Sequence, residues 1–96
     1  MLNYINLFKE IYPQFLGSET YESLLPLANK LQELGIKKFD SQRSFTIRQE
    51  RELNDNEKAE WWLGELIDIV VNHGDNYIME MTTLMNFGKR LDKLLN

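Results

Sequence analysis

His73 is the only imidazole in the chain, and it stands in Asn72-His73-Gly74-Asp75 with an acid two residues on that could orient it. Ser and Thr hydroxyls are present, yet no Gly-x-Ser-x-Gly elbow or oxyanion loop accompanies them, so a triad has no local support. A histidine beside a helix-ending glycine reads instead as a cation placed on the C-terminal end of the helix dipole. Carboxylates are the second source of chemistry. Glu57, Glu65 and Asp68 fall on the outer side of a helix expected over Asn54 to His73, the pattern of a solvated face. A two-carboxylate hydrolase needs its acids in a cleft with separated pKa values.

The remaining reactive inventory is short. There are no cysteines, which excludes disulfides, thiolate zinc sites, iron–sulfur clusters and cysteine nucleophiles. One histidine excludes a multi-histidine metal site within one chain. The five glycines are isolated from one another, so no Gly-rich loop can cradle phosphate. The expectation is a protein that is not an enzyme and holds no metal or cofactor.

Two surfaces could bind. Relative to the apolar stripe of its helix, Trp61 lies roughly 160° round by the helical repeat. Its neighbours there are Gly64, Glu65, Asp68 and Asn72, so an aromatic stands beside a glycine, two acids and an amide. Tryptophan is over-represented among binding hot spots, and these five residues form the expected partner-binding face. The alternative is that the helix is central and Trp61 is covered within the chain. The other surface is basic. From Lys30 to Arg51 there are six bases and three acids, against five bases and twelve acids elsewhere. Lys37, Lys38, Arg43, Arg48 and Arg51, with Phe39 and Phe45 interleaved, could neutralise phosphates and stack a base. No helix-turn-helix or RNA-recognition signature accompanies them, and a net charge of −4 disfavours nucleic acid.

These surfaces need elements to carry them. Tyr4, Ile5, Phe8, Ile11, Tyr12 and Phe15 share one helical face, opposite Asn6, Lys9 and Glu10. Pro13 predicts an end or kink near Tyr12, with Gly17 closing the segment. A second helical region runs from Ser18 to Leu34, with Tyr21, Leu24, Leu25, Ala28, Leu31 and Leu34 as its stripe. Ser18 or Thr20 can cap it, Gly35 stops it, and Pro26 either bends it or marks a later start. Residues 36–49 alternate apolar and polar, and Ser44 to Arg48 is the best strand candidate. It has no evident pairing partner.

Asn54 and Glu57 have capping-box spacing and open the third helix, with Ala59, Trp62, Leu63, Leu66, Ile67 and Val70 inward. Gly74 ends it. Asp75 then caps a last helix with the stripe Tyr77, Met81, Leu84, Gly88, Leu91 and Leu95. Phe87 and Leu94 flank that stripe, Met79 points outward, and Gly88 could permit close helix contact within the chain or across a homodimer.

The chain of 96 residues fits one compact domain, 1–96. The expected fold is mainly α, a small bundle of four to five short helices with an extended or short β segment near residues 36–49, and α+β as the alternative. No signal-peptide pattern or apolar run of membrane-spanning length occurs, so the expected location is cytoplasmic, away from membranes. The expected function is that of a small acidic protein-binding domain acting by stoichiometric interaction, of inhibitor, immunity, anti-defence or adaptor type. Its partner is another protein, possible homodimerisation included, and acids in excess favour a basic partner surface. A nucleic-acid or anion-binding module using residues 37–51, or a structural homo-oligomer, are the alternatives.

Overall fold

The computed structural model describes residues 3–18, 20–38, 47, 51–72 and 77–96, with the side chains of 77–79 left aside. Four helices are bounded among these residues: α1 (Tyr4–Leu16), α2 (Tyr21–Glu33), α3 (Asp55–Asn72) and α4 (Tyr77–Leu95). No strand occurs among the described residues. The expected strand at 44–48 lies outside them except for Ile47, whose carbonyl accepts from Arg51 N–H at 3.0 Å, a four-residue spacing that is helical. His73, Gly74 and Asp75 also lie outside the described residues.

Helix α1 starts at Asn3, whose Oδ1 accepts from Asn6 N–H at 3.0 Å, and runs through Pro13 to Leu16. The helix does not end at Tyr12. Pro13 and Lys9, whose carbonyl loses its amide, are both exposed, so water can take the missing donor's place. Beyond the proline, Phe15 is 4 % exposed and its ring meets Trp62 edge-on at 5.1 Å, which anchors the last turn.

One continuous α2 likewise spans Pro26. Thr20 Oγ1 accepts from Ser23 N–H, and Ser23 Oγ accepts from Thr20 N–H, a reciprocal cap. The buried face is Leu24, Leu27, Ala28 and Leu31, while Tyr21, Leu25 and Leu34 are exposed. The stripe is thus rotated from the expected one toward Leu27. Gly35 has a φ of 84°. Its N–H donates to Gln32 O at 2.9 Å and Ile36 N–H to Leu31 O at 3.1 Å, the two bonds of a Schellman stop.

Helix α3 is the centre of the bundle. It packs against α1, α2 and α4, whereas α1 and α2 touch each other much less. Its expected core positions are all buried, and so are Gly64, Asp68 and Ile69 on other sides of the same helix. The capping box forms as expected: Glu57 N–H donates to Asn54 Oδ1 at 2.8 Å, and Asn54 N–H to Glu57 Oε1 at 2.9 Å. At the same end, Tyr4 N–H donates to Asn56 Oδ1 at 3.0 Å and ties α1 to α3.

Trp62 is the hub of the core. Phe8, Tyr12 and Phe15 from α1 all present their rings to it edge-on, at 5.0, 5.7 and 5.1 Å. Such perpendicular pairs add about 0.5–1.5 kcal/mol each beyond area burial. On the opposite flank, α4 buries Leu84, Gly88 and Leu91. The close approach at Gly88 is therefore made within the chain.

Candidate functional site

The five residues expected on one outer face are divided by the fold. Gly64 and Asp68 are buried, Trp61 and Glu65 are half-buried, and Asn72 is exposed. Because α3 has neighbours on three sides, the direction opposite its main stripe is itself an interior direction, and no bare backbone patch remains at Gly64. Asp68 is instead a buried acceptor: Lys38 Nζ donates to its Oδ2 at 3.1 Å and Asn72 Nδ2 to its Oδ1 at 3.1 Å. Glu57, also expected on a solvated face, is 8 % exposed. Arg51 grips it with two bonds, Nη1 to Oε1 at 2.6 Å and Nη2 to Oε2 at 3.0 Å.

These pairs also divide the basic set. Lys38 and Arg51 neutralise buried carboxylates of α3, Lys37 is exposed, and Arg43 and Arg48 lie outside the described residues. The Lys38 ammonium is held above its usual range of 10.5, first by its hydrogen bond to Asp68, with Glu65, Asp68 and Glu80 adding attraction against a desolvation penalty. Two of the five cations thus do structural work on the helix that carries Trp61.

Trp61 and Phe87 meet edge-on at 5.9 Å. They line a cavity of about 850 Å³ in the α3–α4 surface, with Leu84 and Leu91 beneath and Leu94 at the margin. Leu94 is 54 % exposed, one of the most exposed large apolar side chains of the described residues. Polar residues ring this apolar floor: Arg51, Lys58 and Arg90 toward the start of α3, and Glu65, Glu80 and Thr83 further along. The lining holds carboxylates and cations around an apolar floor. The sequence pointed to Trp61 through its angle and to Phe87 and Leu94 as an apolar shoulder. It did not show that the three share one groove, since that depends on how α3 and α4 lie side by side.

Among the described residues, no group of three or more His, Asp or Glu side chains is placed to hold a metal ion. No helix of the described residues is long and apolar enough to cross a membrane. No family model, curated protein or solved structure matches the chain.

Proposed function

We propose that the chain is a non-enzymatic protein-binding domain that acts by stoichiometric interaction through the α3–α4 groove, in the manner of a small inhibitor, immunity, anti-defence or adaptor protein. The observation that carries this reading is the Trp61–Phe87 pair at the mouth of a largely apolar groove edged by an exposed Leu94. A rigid aromatic anchor in a partly desolvated depression, with a polar rim, is the usual anatomy of a binding hot spot. The net charge of −4 steers basic partners toward the molecule at long range. A chain without cysteine suits the reducing cytoplasm.

The test is affinity capture with the wild-type chain, Trp61→Ala and a control, Asn29→Ala, on the exposed side of α2. A protein retained in fixed ratio by wild type and Asn29→Ala and lost with Trp61→Ala is the expected result. Equal retention by all three, or no partner for any, would sink the reading.

The anion-binding alternative is weaker on this geometry, because Lys38 and Arg51 already serve carboxylates. It predicts oligonucleotide affinity that falls steeply with salt and with neutralisation of Lys37 and Lys38.

A further inference from the structure

We draw no further inference here: the strongest candidate, the apolar α3–α4 groove with Lys58, Arg90 and the exposed Leu94 toward one end, belongs to the site already described, and nothing among the described residues shows what covers it.

Discussion

The indole N–H of Trp62 donates to the main-chain carbonyl of Leu84 at 3.0 Å, the carbonyl that the α-helical repeat pairs with the amide of Gly88. A fully buried ring thus finds its polar partner on the neighbouring helix, at the one position of α4 where a missing side chain leaves room for it. A Cβ on Gly88 would lie 2.7 Å from Tyr12 Cε1 and 2.9 Å from Trp62 Nε1. Neither atom belongs to a flexible chain end, since both rings are locked in the aromatic cluster.

Gly88→Ala should therefore be a net loss of up to about 2 kcal/mol, since overpacking costs about 1–3 kcal/mol and alanine regains roughly 1 kcal/mol in helix propensity. Urea unfolding of the two proteins decides the sign. A more stable Gly88→Ala would mean that α4 can draw away from Tyr12 and Trp62 without loss.

At the start of α3, one carboxylate oxygen serves two donors: Glu57 Oε1 accepts from Asn54 N–H and from Arg51 Nη1. Asn54→Ala should cost about 1 kcal/mol, the ordinary worth of a helix cap. Arg51→Ala and Asn54→Ala together should differ from the sum of their separate effects, because the Asn54 Oδ1 cap fixes the backbone turn that aims the Glu57 carboxylate at Arg51. A double-mutant cycle measures this, and strict additivity would show the two bonds to be independent.

The Lys38–Asp68 pair is lopsided, with side chains 55 % and 12 % exposed. Removing the lysine leaves a carboxylate in the interior, whereas removing the acid leaves a lysine that can turn into water. Lys38→Met should accordingly lower the unfolding midpoint more than Asp68→Asn does. The reverse order would mean that Asp68 is held chiefly by its other contacts.

Two groups set an alkaline limit. Lys38 is raised above 10.5, first by its hydrogen bond to Asp68. Tyr12 is raised above 10.0, first by burial and then by the Asp92 charge. Both bind their proton more firmly in the folded chain than in the unfolded one. Their contribution to stability is thus complete below about pH 10 and is lost as pH rises through the folded values. Denaturant midpoints measured from pH 8 to about 11.5 should fall above pH 10, and Tyr12→Phe, which keeps the ring and removes the titration, should flatten that limb. An unchanged slope in Tyr12→Phe assigns the whole limb elsewhere.

What the sequence disclosed was local. Gly35 as a helix stop, the Asn54–Glu57 cap, the inward face of α1 and that of α4 from Met81 to Leu95 all follow from spacing within one turn or one stripe, and the structure has them; Tyr77 of the α4 stripe lies outside the described side chains. Where the reading failed, the cause was a neighbour outside the element being read. Glu57 and Asp68 looked solvated because the cations that make their burial tolerable, Arg51 and Lys38, lie outside the helix and leave no mark on its periodicity. Trp61 was correctly placed away from the main stripe, but a stripe describes one contact surface and α3 has three. Pro13 broke no helix because Phe15, two residues later, has Trp62 to hold it. The pull came from across the bundle.

The central place of α3 has a consequence for the order in which the chain can become a protein. During synthesis α1 and α2 leave the ribosome ahead of α3, yet they share little surface with each other, and the partner of both is encoded some twenty residues after α2 ends. Among the described residues, nascent Phe8, Phe15, Leu24 and Leu31 have little to cover them until Trp62 and its turn have emerged. Domains often settle from the N-terminus forward. Here the keystone is laid after the two helices that lean on it, and until then their apolar faces are a greasy, waiting surface that a chaperone has reason to hold.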